Sequence, residues 1–457
     1  MKKICLYFQL HQPYRLRTYR FFDIGQNHDY FNDYENRSII RRLTEKCYLP
    51  ANKILLELLK QFDGKFKISF SLSGVFLDQI QQYAPEVLES FQKLAQSKNV
   101  EFLAETDAHS LISLKDKNEF LEQIKTHSNK IKTLFNYQPV TFRNTELIYS
   151  NEIGKDVYEL GFKGVIAEGA KHILGWRSPN FLYFNPICPQ QKVLLRNYKL
   201  SDDITLRFSD KNWDQWPLTS EKYASWVNQI DSKEDIINLF MNYDTFGEHH
   251  SADSGILGFL QHLPKSLLKY KKLEFVTPAE AVEKLQPVSS INVHYPTSWT
   301  DEERDTTAWL GNDLQNDAFD KLYEMLEFIQ KSNEPEFKKI FNYLQASDHF
   351  NCMSTKWFSQ QQKHLLGNHY GSPYEAYINY RNVLNDFKLQ TGFIGNVNHQ
   401  LEQLQKLTAQ QEELIRELQQ KIEPVKPTKN EVKPAKKEVK TVKSEVKTTK
   451  SKTEAVK

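Results

Sequence analysis

An α/β fold, with a largely parallel sheet either open or closed into a barrel, is what this sequence predicts, and three observations carry that reading. Over roughly the first 280 residues, short β-prone runs alternate with amphipathic helical stretches, the pattern of strands joined by helical crossovers. Most of the β-prone runs are short and apolar throughout, as in strands buried on both faces. Past about residue 291 the strand signals fade and helical periodicity takes over.

In chain order, candidate strands cover residues 3–10, 67–71, 100–104, 141–143, 164–167, 182–184, 205–208 and 239–243. Between several of them lie helical patterns at 49–62, 85–96 and 116–135. Residues 316–331, 334–346 and 374–389 then read as helices of a separate helical region. A longer helix is expected over 398–422. Val397, Leu401, Leu404, Ile415, Leu418 and Ile422 recur there at heptad spacing, with Thr408 and Gln411 interrupting the seam. This is a short, imperfect coiled coil, which either packs back on the body or self-associates through residues 397–422. From Pro424 the chain becomes a degenerate Lys-Val-Glu-Pro-Thr repeat that cannot bury a core and is expected to be disordered. The expected divisions are therefore 1–285, 286–392, 393–423 and 424–457.

Composition narrows the function. Net charge is +2, yet the tail from Pro424 alone carries eleven Lys and four Glu, so the remaining chain is mildly acidic. No basic stripe runs through it, which argues against nucleic-acid binding by the folded part. Cys5, Cys47, Cys188 and Cys352 are far apart and form no metal-binding pair, as expected of reduced thiols. The apolar run Ile4–Phe8 is too short for a secretory signal or a membrane span, so a cytoplasmic protein without membrane attachment is expected. Aromatic residues make up 13% of the chain, enough for a large core and for a ring-lined cleft.

In a closed parallel sheet, chemistry gathers at the C-terminal strand ends. Four segments bring polar groups there. Leu10-His11-Gln12-Pro13 closes the first strand. Glu101, Leu103 and Glu105 share one face of the third, with His109 at its exit. Thr141-Phe142-Arg143-Asn144-Thr145-Glu146 is a strand with a polar exit, where Arg143 can keep Glu146 ionised. Asn242-Tyr243-Asp244-Thr245-Phe246-Gly247-Glu248-His249-His250 follows an apolar strand, and Asn242 and Asp244 fall on one face. Two carboxyl groups flanking a bond are what glycoside hydrolysis requires.

These segments resemble the signature regions of glycoside hydrolase family 57, in its α-amylase-like branch. So do Leu174-Gly175-Trp176-Arg177-Ser178-Pro179-Asn180, Ser201-Asp202-Asp203-Ile204, Trp216-Pro217-Leu218-Thr219 and Tyr295-Pro296-Thr297-Ser298-Trp299. The run Ala308-Trp309-Leu310-Gly311-Asn312, then Ser347-Asp348-His349-Phe350 with Lys356-Trp357, extends the likeness, which covers about residues 1 to 385. The resemblance implies an incomplete (β/α)7 barrel over 1–285, with a helical domain over 286–392 completing the cleft. It implies retaining chemistry on α-glucans or maltooligosaccharides, with no metal and no cofactor. Glu146 falls on the nucleophile position and His11 on a sugar-contacting His. Glu105, His109, Asp203, Trp176 and Trp309 fall on or near cleft-lining positions; Arg143, Asn242, Phe246 and His249 join them as substrate-binding candidates.

The sequence departs from the family pattern at the acid/base position, which holds Asn242. An amide has no proton that titrates near neutrality. Asp244 is the expected substitute, although an ideal strand repeat sets it about 6.5–7 Å from that position. At Asp107-Ala108 two aromatic residues usual in the branch are missing. Three readings follow: an α-amylase-like hydrolase with Glu146 and Asp244 as its pair, a catalytically impaired glucan binder, or a 4-α-glucanotransferase. A metal-dependent deacetylase is disfavoured, because the adjacent His249-His250 pair is poorly placed to share an ion.

Overall fold

The computed structural model describes residues 1–356 and 369–393, together with Thr408 and Gln411. The described residues up to Phe393 all fall in one compact unit. Apart from Thr408 and Gln411, the helix expected over 398–422 lies outside the described residues, as do the tail and Trp357.

Ten strands make one mixed sheet: β1 (Lys2–Leu10), β2 (Ile68–Leu72), β3 (Val100–Phe102), β4 (Thr141–Arg143), β5 (Gly164–Glu168), β6 (Leu182–Asn185), β7 (Cys188–Arg196), β8 (Ile236–Asn242), β9 (Leu273–Phe275) and β10 (Ser289–Ser290). Pairing is parallel from β8 to β1, β1 to β2 and β2 to β3. It is also parallel from β4 to β5, β5 to β7 and β7 to β8. A parallel bridge between Ala104 and Phe142 links the end of β3 to β4, so the pairings return on themselves. Two seams are thin: that bridge, and the Arg196–Asn238 pair between β7 and β8. β6 folds back antiparallel on β7 through a bulge, and β10 runs parallel to β6.

Strand alternation then decides what faces inward. On β1, Ile4, Leu6, Phe8 and Leu10 join the core beneath the helices. Cys5 and Tyr7 join a separate cluster with Ile166 of β5, Leu194 of β7 and Phe240 of β8, inside the circuit of strands. Tyr7 stacks on Phe240 with centroids 4.7 Å apart. Such a pair contributes about 0.5–1.5 kcal/mol beyond its buried area. The next inward positions toward the C-terminal ends are polar: Gln9, Glu105, Arg143, Glu168 and Arg196, all buried.

Helices sheath the outside. Leu49–Gln61, Pro85–Ala95 and Lys117–Phe135 match the expected helical patterns within one or two residues. The segment expected as one helix over 316–331 is two, Asp313–Tyr323 and Leu326–Lys331. With Pro335–Leu344 and Pro373–Gln390 they share a core with the outward residues Phe142, Val165, Val193 and Leu195 of β4, β5 and β7. Residues 205–208, expected as a strand, are not one. Asn197 caps a helix over Tyr198–Thr205 by accepting from the Leu200 amide, and Ile204 is buried on its inner face. The strand in that stretch is β7, which ends at Arg196. No helix among the described residues is long and apolar enough to cross a membrane.

Candidate active site

Glu146 stands just past the end of β4. The chain leaves Arg143 and turns through a short 3-10 segment, Thr145–Leu147. Asn144 fixes the turn by accepting from the Thr145 amide at 3.0 Å and donating to the Ile148 carbonyl at 2.9 Å. The hydroxyls of Thr106 and Thr145 meet at 2.7 Å and tie this turn to the end of β3. Glu146 and Leu147 adopt φ values of 52° and 53°, and His109 has φ 53°. Left-handed backbone at bulky residues is strained, by about 1–3 kcal/mol each, and persists where surrounding structure holds it.

The carboxyl group that results is held by several groups at once. Trp299 donates its indole N–H to Oε2 at 2.5 Å, His109 Nε2 lies 3.3 Å from Oε1, and the Ser347 hydroxyl reaches the same oxygen at 3.5 Å. Trp299 is itself placed by backbone pairing. Thr297 bridges Tyr149, and the Trp299 amide bonds to the Glu146 carbonyl at 3.2 Å. Burial alone would push the Glu146 carboxyl up; the bond and charge of His109, the charge of Arg143 and the Trp299 bond outweigh it. The carboxyl is thereby held below its ordinary value and stays ionised.

Beneath it lies a charged stack with no exposure. Arg143 Nη1 donates to Glu105 Oε2 at 3.0 Å, and Arg143 Nη2 donates to Gln9 Oε1 at 2.5 Å. His109 sits between two carboxylates, with Nδ1 3.3 Å from Glu105 and Nε2 3.3 Å from Glu146. Burial lowers its basicity, but the two carboxylate bonds more than restore it, to about 9. Glu105 falls to about 2: burial raises it, and His109 and Arg143 pull it down further. His109 is therefore an imidazolium near neutral pH.

His11 stacks on that ring at 3.8 Å between centroids. Two stacked imidazoles cannot both carry charge cheaply, and His11 gives way: burial and the His109 charge lower its basicity despite Asp348. Neutral His11 can then donate from Nε2 to Asp348 at 2.7 Å and accept at Nδ1 from the Ser73 hydroxyl at 2.8 Å.

The second carboxyl comes from the end of β8. Asn242 ends the strand opposite Gln9 of β1, and a turn over Tyr243–Thr245 carries Asp244. Gln12 donates to Asp244 Oδ2 at 3.0 Å, and Arg15 orients Gln12 by donating to its Oε1 at 2.9 Å. Burial dominates here. It raises the Asp244 carboxyl to about 7, against partial relief from Tyr48 and Gln12. Asp244 thus keeps a proton where Glu146 has none.

Both carboxyls border one cleft of about 420 Å³, with Asn242, His11, Trp309 and Asp348. His249 borders it too, with its side chain toward solvent. Glu105, His109 and Arg143 are fully buried and act behind it. Phe246 is buried against Phe8, edge-on at 5.5 Å. Trp176 is 95% exposed and does not border the cleft, and Asp203 borders a different one. Trp299, Ser347, Asp348, Gln9 and Gln12 were not among the expected site residues. Trp299, Ser347 and Asp348 sit within family-like runs, and Gln9 takes the next inward position of β1 after Tyr7.

A cleft at the C-terminal strand ends, bordered by two carboxyls of opposed acidity, has the groups that glycoside cleavage requires, and the sequence comparison gives the class. The sequence model of Glycosyl hydrolase family 57 matches residues 5–294, and the chain belongs to this family. A Methanocaldococcus jannaschii protein named "Putative alpha-amylase" is 42% identical over 397 residues, covering 83% of each chain. Among solved structures, a 4-alpha-glucanotransferase from Thermococcus litoralis shares the fold at TM-score 0.62 and 14% identity, over 85% of this chain and 60% of its own. The alpha-amylase AmyC from Thermotoga maritima does so at TM-score 0.58 and 13% identity, over 86% of this chain and 94% of its own.

Proposed function

We propose that the protein is a retaining α-glucan hydrolase, α-amylase-like, that cleaves α-1,4 linkages with Glu146 as nucleophile and Asp244 as acid/base. The observation that carries this is the split acidity of the two carboxyls on one cleft, Glu146 below its ordinary value and Asp244 at about 7. In this scheme Glu146 attacks the anomeric carbon while Asp244 passes its proton to the departing glycosidic oxygen. The glycosyl–Glu146 ester is then hydrolysed by water, whose proton returns to Asp244. His11 and Asp348 hold sugar hydroxyls at the cleft wall, and His109 keeps the nucleophile charged between turnovers. The circuit of seven strands acts as the barrel, and the helices of 286–392 complete the cleft. No metal or cofactor is needed.

The test is trapping. A fluorinated glycosyl donor should leave a covalent label on the peptide containing Glu146, and Asp244→Asn should slow both labelling by poor leaving groups and release of reducing sugar. A label elsewhere, or none alongside active hydrolysis, rejects the assignment. Asn242 favours a second reading, a glucan binder of impaired catalysis, for which Asn242→Asp should raise turnover greatly. Product chromatography from maltotriose separates hydrolysis from transfer, in which a sugar hydroxyl replaces water in the second step.

A further inference from the structure

A second cleft of about 460 Å³ shares no lining residue with the first. It borders Asn197, just beyond the thin β7–β8 seam, and the helix Tyr198–Thr205. Trp213 and Trp226 form part of its wall, edge to face with centroids 6.0 Å apart and both half-buried. Backbone bonds hold the loop that carries Trp213. The Trp213 amide bonds to the Asp210 carbonyl at 3.2 Å, and the Trp216 amide to the Trp213 carbonyl at 2.9 Å. The Trp226 ring packs on Tyr223 and carries the Lys222 ammonium 5.6 Å from its centroid.

Around the two indoles stand Asn180, Asn197, Asp203 and Gln215. The first two are braced, Asn197 donating to Asn180 at 2.9 Å and Asn180 donating to Glu234 at 2.8 Å. Arg207 holds one oxygen of Asp203 at 2.6 Å. Flat apolar rings ringed by fixed amides and a carboxylate match a pyranose, with its apolar C–H face and its rim of hydroxyls. An apolar peptide or lipid would leave the polar rim unpaired, at a cost. Lys199 beside Asp203 makes no cationic track for a polyanion.

We propose that this flank cleft is a second α-glucan-binding site, which holds a stretch of polymer not engaged at Glu146. The choice of α-glucan rests on the function proposed above. A second foothold raises the local concentration of a long chain at the first site and does nothing for a chain too short to reach both.

The experiment uses the full chain with glycogen and maltotriose as probes. Trp213→Ala should lose most of its retardation in a glycogen-containing native gel, and its kcat/KM on glycogen should fall about tenfold. Its kcat/KM on maltotriose should stay within about twofold of wild type, and Trp213→Phe, which keeps a flat ring, should recover most of both losses. Undiminished retardation with an unchanged glycogen-to-maltotriose ratio would overturn the proposal. Should Trp213→Ala not fold, indole emission decides the matter. Maltoheptaose should perturb it in Glu146→Gln, and adding Trp213→Phe should shrink that response; an equal response overturns the proposal. Failure of the hydrolase reading looks different, with no reducing sugar from wild type while retardation still depends on Trp213.

Discussion

The ends of β4 and β8 each bring one carboxyl to the same cleft, and their surroundings treat the two in opposite ways. Both are penalised by burial. At Glu146 that penalty is overcome by an imidazolium, a guanidinium and an indole N–H. At Asp244 it is met mainly by neutral groups, the Gln12 amide and the Tyr48 hydroxyl, and left largely standing. The difference teaches that placement of cations, more than depth, separates the ionised carboxyl from the protonated one here.

The comparison breaks most visibly if the Glu146 carboxyl is removed. Glu146→Gln should cut reducing-sugar release from maltoheptaose by on the order of 10⁴-fold or more. Asp244→Asn comes next, with a loss of about 10²–10⁴-fold in kcat/KM, the usual contribution of a positioned acid. The wild-type pH profile should show why. In the proposed scheme activity needs Glu146 ionised, which fails only below the ordinary carboxylate range, and Asp244 protonated, which fails as pH rises through about 7. A bell with its basic limb near 7 is expected, and that limb should vanish in Asp244→Asn. A basic limb that survives the substitution assigns the acid elsewhere.

Removing the indole donor sharpens the comparison more gently. Trp299→Phe deletes a charge-assisted bond of about 1.5–3 kcal/mol, so kcat/KM should fall roughly 10- to 100-fold. Its acid limb should move to higher pH, because Glu146 then loses one of the groups that stabilise its anion.

Much of this arrangement was legible in the sequence. The polar exits of β1, β3, β4 and β8 named His11, His109, Glu146 and Asp244, and alternation put Glu101, Leu103 and Glu105 on one face. What stayed hidden falls into two kinds. β7 begins Cys188-Pro189-Gln190-Gln191-Lys192, too polar to signal a buried strand. The alternation of Thr205, Leu206, Arg207 and Phe208 imitated a strand instead, against the capping signal of Asn197. Long-range partners were the other kind. Trp299 meets Glu146 across 153 residues and Asp348 meets His11 across 337. Periodicity reports which face a residue occupies, and only the closed fold reports what stands opposite.

The smallest expected effect concerns stability. A carboxyl whose folded value is raised binds its proton more tightly in the folded state, so the fold loses stability as pH climbs from the ordinary value of 3.8 to about 7. Above that range the loss is complete, on the order of 2–4 kcal/mol for Asp244. Asn cannot ionise and can still accept from Gln12, so Asp244→Asn should unfold at a higher temperature than wild type at pH 8, by a few degrees. At pH 4 both proteins hold a neutral side chain there and their midpoints should converge. Glu146→Gln should behave in the opposite sense, because its anion is favoured in the folded state and its loss leaves the His109 charge with one carboxylate partner. A higher midpoint for Asp244→Asn at pH 8, beside poorer turnover, would mean that the protein keeps an unfavourable buried acid for its chemistry. Equal midpoints at both pH values would show Asp244 ionising normally and remove it as the proton donor.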